Sequence, residues 1–184
     1  TTVFEKRKKL GGMLRYGIPS YRLPRERLQD DIRAILETGV EVRLETAVGG
    51  GKGEMPVEEL RREYDAVYIA IGAHADKKIG IEGEDAAGVI SAVELLRGIG
   101  DGYAPELNGK RICVVGGGNV AMDVTRTSIR LGAEKTTVVY RRRKADMTAL
   151  QEEIESAIAE GAEVMELFAP DYIESDEDGK VAAL

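Results

Sequence analysis

Two chemically versatile residue types are almost missing from this 184-residue chain, which has one cysteine, Cys113, and one histidine, His74. A lone cysteine makes no internal disulfide and no CxxC redox pair, and one histidine does not build a His-rich metal centre. A reducing compartment is the expectation. Positive charge is also in deficit. Twenty-six Lys and Arg against 33 Asp and Glu leave a net charge of −7. The chain as a whole therefore repels a nucleic-acid backbone or an anionic membrane, and any anion it binds must meet a local basic patch. No apolar run approaches the roughly 18 to 20 residues of a membrane span, and residues 1–9 lack the apolar stretch of a secretory signal. The expectation is a cytoplasmic protein with neither nucleic acid nor membrane as partner.

What is present is an ordinary globular composition, 43% apolar and 32% charged with both signs interspersed. Glycine is the outlier: 22 residues, about 12% against an average near 7%. Residues 1–5 are β-branched and aromatic and end on the acid Glu5, as though the chain were cut into at a strand. Pro19 and Pro24 forbid regular structure through an ordered loop. Leu28, Ile32, Ile35 and Leu36 then recur at helical spacing up to the stop at Gly39, and Val40, Val42 and Leu44 alternate with charges as in a half-exposed strand. Gly49 to Gly53 is a turn, Met55 to Glu63 a short helix, and Asp65 to Ala73 an apolar run suited to a strand buried on both faces of a parallel sheet.

A second unit follows. Ser91 and Glu94 form a capping box opening a helix, Lys110 to Val115 is a buried strand with Cys113 inside it, and Gly116-Gly117-Gly118 is a tight turn. Asn119 to Leu131 is a helix and Thr136 to Tyr140 a strand, which completes a βαβ unit. Met147 to Glu160 is a further helix, whose acids Glu152, Glu153, Glu155 and Glu160 read as a solvated face. A strand then runs to Phe168, and Asp176 to Gly179 turns a hairpin whose last strand looks truncated. The fold class is α/β: a Rossmann-like NAD(P)-binding domain with a parallel sheet, at 91–184, plus part of a second Rossmann-like domain, at 1–90.

The chemistry lies in Gly116-x-Gly118-x-x-Ala121, set between strand and helix. Gly116 permits the sharp turn, Gly118 a close approach to pyrophosphate, and Ala121 tight helix packing. The amides of Gly118, Asn119 and Val120 then face the phosphates at the positive end of the helix. The plain alternative is any tight strand-to-helix turn, which also favours glycine. The second strand distinguishes the nucleotides. An NAD site ends this strand in Asp or Glu to hold the ribose 2′-hydroxyl, whereas here Tyr140 is followed by Arg141-Arg142-Arg143-Lys144. Guanidinium forks suit a 2′-phosphate, so the expected ligand is NADPH, held first by Arg141 and Arg142, which leave the strand first. The alternative is a solvated basic turn.

Taken in order, Gly11-Gly12-Met13-Leu14-x-Tyr16-Gly17-Ile18-Pro19-x-Tyr21-Arg22-Leu23-Pro24, Ala70-Ile71-Gly72-Ala73, Gly116-Gly117-Gly118-Asn119-Val120-Ala121-Met122-Asp123 and Tyr140-Arg141-Arg142 resemble the glutamate synthase small (beta) subunit family of NADPH-dependent flavoproteins. The resemblance covers nearly the whole chain. It implies an FAD domain carrying an inserted NADPH domain, with hydride passing from NADPH to FAD and electrons onward to iron–sulfur clusters or to a large amidotransferase or synthase subunit. It also implies that Glu5 holds the adenosine ribose of FAD, that Gly12, Met13 and Arg22 line the flavin and its phosphates, and that Val48 makes a backbone contact on the adenine side. On their own residues these read as a surface acid, a turn, a solvated arginine and a strand-end apolar residue.

The family's first FAD fingerprint and its C-terminal flavin-binding segment have no match in this sequence, nor has the cysteine-rich iron–sulfur region. The expectation is a fragment with a nearly complete NADPH domain and a partial FAD domain, itself inactive and binding FAD weakly or not at all. The competing class is an NADP(H)-binding module without turnover. No residue pattern points to an acid, base or nucleophile, which hydride transfer between cofactors does not require.

Overall fold

Val3 and Val42 face each other at the centre of a parallel strand pair, β1 (Thr2–Phe4) and β2 (Glu41–Arg43). Parallel neighbours need a long crossover. It is supplied here by α1 (Gly12–Tyr16) and α2 (Arg25–Leu36), which buries Leu28 and Ile32 one turn apart and leaves Ile35 exposed. The proline-bracketed loop between these helices is ordered by arginines donating to carbonyl oxygens. Arg25 reaches Leu14 at 3.0 Å and Ile18 at 2.8 Å, while the buried Arg15 reaches Leu10 at 2.6 Å and the Gln29 side chain at 2.9 Å. Burial, together with the charge of Arg15, pulls the Arg25 guanidinium below its ordinary value. A short helix, α3 (Val57–Glu63), adds buried Leu60.

The computed structural model describes residues 1–184 and divides into two units, Thr1–Ala73 and His74–Leu184. The division falls after Ala73 and not near residue 90, because the segment following it pairs with the C-terminal hairpin through the bridges Glu82–Tyr172 and Ala87–Lys180.

The first unit also departs from expectation at 65–73. This run forms no strand, and Tyr68, Ile69 and Ile71 are 92%, 75% and 78% exposed. A strand exists only where a neighbour takes its N–H and C=O groups, and the sheet of this unit has only β1 and β2. Apolar content alone does not supply that neighbour.

In the second unit β3 (Arg111–Val115), β4 (Lys135–Tyr140) and β5 (Glu163–Glu166) form a parallel sheet in the order β3-β4-β5. The connections are α5 (Asn119–Arg130) and α6 (Gln151–Ala159). One core packs Val114 and Val138 of the sheet against Ala121, Met122 and Val124 of α5 and Ile154 and Ala157 of α6. A further helix, α4 (Ala92–Gly100), adds Leu96 to this core, and its N-cap Ser91 accepts the Glu94 N–H at 3.1 Å. The antiparallel pair β6 (Glu174–Ser175) and β7 (Val181–Ala183) ends the chain.

Three finer expectations change. Cys113 is exposed, because alternation along β3 puts Ile112 and Val114 toward the core and Cys113 on the opposite face. Partial burial still pushes its thiol up. The helix expected from Met147 starts at Gln151, after a stretch taken by other contacts. Two of its acids are not solvated. Arg126 on α5, with its side chain 12% exposed, donates to Glu153 at 2.6 Å and to Glu160 at 2.8 and 2.9 Å. Arg130 donates twice more to Glu160, at 2.8 and 3.0 Å. These two arginines hold the Glu160 carboxyl down to about 2, the Arg130 contact being the larger influence.

Candidate functional site

The C-terminal ends of β3 and β4 meet at the glycine turn. Gly116 has φ +139°, open to glycine and strained for other residues, and its N–H donates to the Val139 carbonyl at 3.1 Å. A Cβ on Gly116 would sit 3.6 Å from that of Ala121, an ordinary packing distance that fits the role of Ala121 as a small residue under the turn. Gly117 has no such room. A Cβ there would lie 2.7 and 2.8 Å from the Tyr140 ring and 2.9 Å from Cγ of Met147. The backbone of the turn is therefore pressed against the end of β4 by two side chains that leave no space for a methyl group.

Gly118 is the N-cap of α5, and no side chain caps that helix. An uncapped first turn presents N–H groups and the positive end of the helix dipole, which is an anion-binding arrangement. The Asn119 side chain is turned elsewhere, since its Oδ1 accepts the Leu150 N–H at 2.9 Å. Ala149 N–H donates to the Gly117 carbonyl at 3.0 Å. The stretch 147–150 thus lies along the glycine turn and brings the start of α6, also without a side-chain cap, beside the start of α5. Sequence reasoning missed this stretch by assigning it to a helix. The irregular order of Ala145 to Leu150, without a continuous apolar face, was the available signal.

At the end of β4 the four cations are unequal. Arg143 forms a two-pronged ion pair with Asp146, 3.0 Å on each prong. That contact holds the Asp146 carboxyl below the usual carboxylate range and raises the Arg143 guanidinium. The Lys144 backbone N–H donates to Glu166 at 2.6 Å. The Arg142 carbonyl accepts the N–H of Leu167, a residue at φ +65°, and the Tyr140 hydroxyl donates to the Asp146 carbonyl at 3.0 Å. Arg141 and Arg142 are exposed, and neither side chain forms an ion pair. Gly116, Gly117, Gly118, Asn119, Val120, Arg141 and Arg142 accordingly lie at one end of one sheet, and no carboxylate occupies the end of β4, where Tyr140 stands.

The positions expected to contact FAD lie in the first unit. Glu5 follows β1, and its Oε1 accepts the Arg7 N–H at 2.8 Å. Gly12 and Met13 open α1, Arg22 lies in the turn before Pro24 with its N–H donating to Pro19, and Val48 bridges Met55. Gly12 has φ +48° with open space around a Cβ, so the backbone and not crowding accounts for glycine there.

The chain is 46% identical over 162 residues to the NADP(+)-dependent formate dehydrogenase subunit beta of Moorella thermoacetica, covering 87% of this chain and 22% of that protein. It is 39% identical over 177 residues to the NADPH-Fe(3+) oxidoreductase subunit beta of Geobacter sulfurreducens, covering 95% and 26%. It is 34% identical over 192 residues to the glutamate synthase [NADPH] small chain of Escherichia coli, covering 99% and 40%. The chain thus spans between about a fifth and two-fifths of the length of these relatives. In fold it is similar to Mycobacterium tuberculosis FprA, solved in complex with NADPH, with a TM-score of 0.76 at 21% identity over all of this chain and 59% of that one. Residues 4–165 match the model of the pyridine nucleotide-disulphide oxidoreductases, and the chain belongs to that family.

Proposed function

We propose that the second unit holds NADPH, with its pyrophosphate on the amides of Gly118, Asn119 and Val120 at the Gly116–Gly118 turn and its 2′-phosphate between the Arg141 and Arg142 guanidinium groups. In the whole protein, on this reading, FAD accepts the hydride and passes electrons on to an iron–sulfur domain or a partner subunit, as in a chain of glutamate synthase small-subunit type. The names of the relatives, each a subunit or small chain named for NADP(+) or NADPH, support the nucleotide and a partner subunit.

One observation carries the reading: the crowded glycine turn and its uncapped helix stand beside a strand that ends in Tyr140, not in an acid, and is followed by Arg141 and Arg142, neither of which forms an ion pair. The turn fits a pyrophosphate, because no side chain caps the first turn of α5 and the α5 dipole opposes the negative charge. The strand end fits a 2′-phosphate, because planar forks pair with phosphate oxygens and an acid there would repel them. When bound, the nicotinamide supplies the hydride; the residues of this chain hold and orient the nucleotide.

The first unit is assigned part of the FAD domain. Glu5, which follows β1, takes the adenosine ribose on this reading; one of its carboxylate oxygens accepts the Arg7 N–H. Gly12, Met13 and Arg22 flank the flavin and its phosphates, and Val48 the adenine.

Calorimetric titration with NADPH and, separately, NADH tests the nucleotide site. Tighter binding of NADPH supports the glycine turn and the arginines together. Equal affinity for the two removes the 2′-phosphate assignment, and binding of neither removes the site.

A further inference from the structure

Four consecutive cations follow β4, yet one of them, Arg143, is ion-paired with Asp146, and a second acid, Glu166, lies against the Lys144 backbone. Asp146 takes both prongs of the Arg143 fork, and Glu166 accepts the Lys144 backbone N–H. Four positive and two negative groups leave a local balance near +2, which matches the charge of a phosphate monoester, about −1.5 to −2 at neutral pH. The bare run of basic residues would exceed it.

We propose that Asp146 is a positioning residue for nucleotide selectivity: it holds Arg143 back from the bound nucleotide and thereby limits the affinity for the 2′-phosphate. This rests on the assignment of the 2′-phosphate to Arg141 and Arg142. The physical motive is turnover. NADPH and NADP(+) carry the same 2′-phosphate, so stronger binding through it stabilises reactant, transition state and product alike, leaves hydride transfer no faster, and slows release of the oxidised nucleotide. A third fork is therefore better occupied by a carboxylate. The Tyr140 hydroxyl, donating to the Asp146 carbonyl at 3.0 Å, fixes this acid relative to the strand end.

The test is a set of titrations of the intact protein with NADPH and NADH at low and high salt, using wild type, Asp146→Asn, Arg143→Gln and the double variant. Asp146→Asn is expected to tighten NADPH about three- to tenfold at low salt, the range for one exposed charge, with NADH unchanged and a steeper loss of NADPH affinity as salt rises. Arg143→Gln, which leaves the carboxylate bare, is expected to weaken NADPH. The double variant restores wild-type affinity and salt dependence. A merely structural Asp146 gives the opposite pattern, weakening both nucleotides without rescue by the second change, and that result overturns the proposal. So does an Asp146→Asn protein with unaltered NADPH affinity, or a double variant as tight as Asp146→Asn. If Asp146→Asn fails to fold, Arg143→Gln decides alone, since unchanged or tighter NADPH binding there also overturns the proposal. A wild-type protein without preference for NADPH over NADH removes the 2′-phosphate assignment itself, and this proposal with it. A wild-type preference combined with an inert Asp146→Asn removes the Asp146 proposal only.

Discussion

The side-chain oxygen of Asn119 accepts the backbone N–H of Leu150 at 2.9 Å, tying the first turn of α5 to the residue that precedes α6. Two helix starts, joined by residues 31 apart in sequence, are thereby held at the glycine turn. Asn119→Ala is expected to lower stability by about 0.5 to 1.5 kcal/mol, the usual value of one such bond, and to weaken NADPH and NADH equally, since it acts on the turn and not on the 2′-phosphate. Urea unfolding and paired titrations check both parts. Asn119→Asp keeps the acceptor, so stability should stay near wild type, while the added charge weakens both nucleotides.

Gly117 and Gly118 should separate folding from binding. A methyl at Gly117 meets the Tyr140 ring and Met147 below 3.0 Å, so Gly117→Ala is expected to destabilise the protein by about 1 to 3 kcal/mol through overpacking. A methyl at Gly118 meets only Thr148 Oγ1, at 3.5 Å, and the backbone there has φ −98°. Gly118→Ala should therefore melt near the wild-type temperature yet lose affinity for both nucleotides, because its Cβ stands in the approach to the pyrophosphate. Equal melting of the two variants would place the crowding elsewhere.

Arg141→Ala and Arg142→Ala each remove one charge-assisted contact, and each is expected to weaken NADPH by about 1.5 to 3 kcal/mol with NADH almost unaffected. Equal losses for both nucleotides would contradict the assignment. Neither side chain has an ion pair within the protein, so melting temperatures should hardly move.

The legible parts of this chain were those with a local cause. Gly116 to Val120 could be read because a sharp turn, a close approach and a helix start each demand a particular residue type. The strand segments themselves could be read from short β-branched runs separated by helices, and the β3–β4 pair from the βαβ order. What failed was non-local. The apolar content of 65–73 says that the run favours burial, but whether a neighbouring strand takes its hydrogen bonds is decided elsewhere, and within its own unit none does. The acids Glu153 and Glu160 resemble a solvated face until α5 sets Arg126 and Arg130 against them. In the basic run after Tyr140 the order alone separates Arg141 and Arg142, which leave the strand first; that Asp146 takes the Arg143 fork and Glu166 the Lys144 backbone N–H is set by the folding back of the chain.

The Glu160 cluster sets an acid limit on stability. Its carboxyl, ordinarily near 4.5, lies at about 2 in the folded chain because Arg130 and Arg126 donate to it. A carboxyl depressed by folding stabilises the native state fully above its unfolded value and loses that contribution as pH falls toward its folded one. The window here runs from about pH 4.5 down to about pH 2. Since the group is partly exposed, solvent screening brings the effect to about 1 to 2 kcal/mol. Urea unfolding of wild type and Glu160→Gln at several pH values should give curves separated by that amount at neutral pH, with wild type the more stable, and converging through the window. Curves that stay parallel from pH 7 to 2 would mean that the two arginines contribute nothing through this carboxylate, and that α5 and α6 are held by their apolar contacts and the Arg126–Glu153 pair.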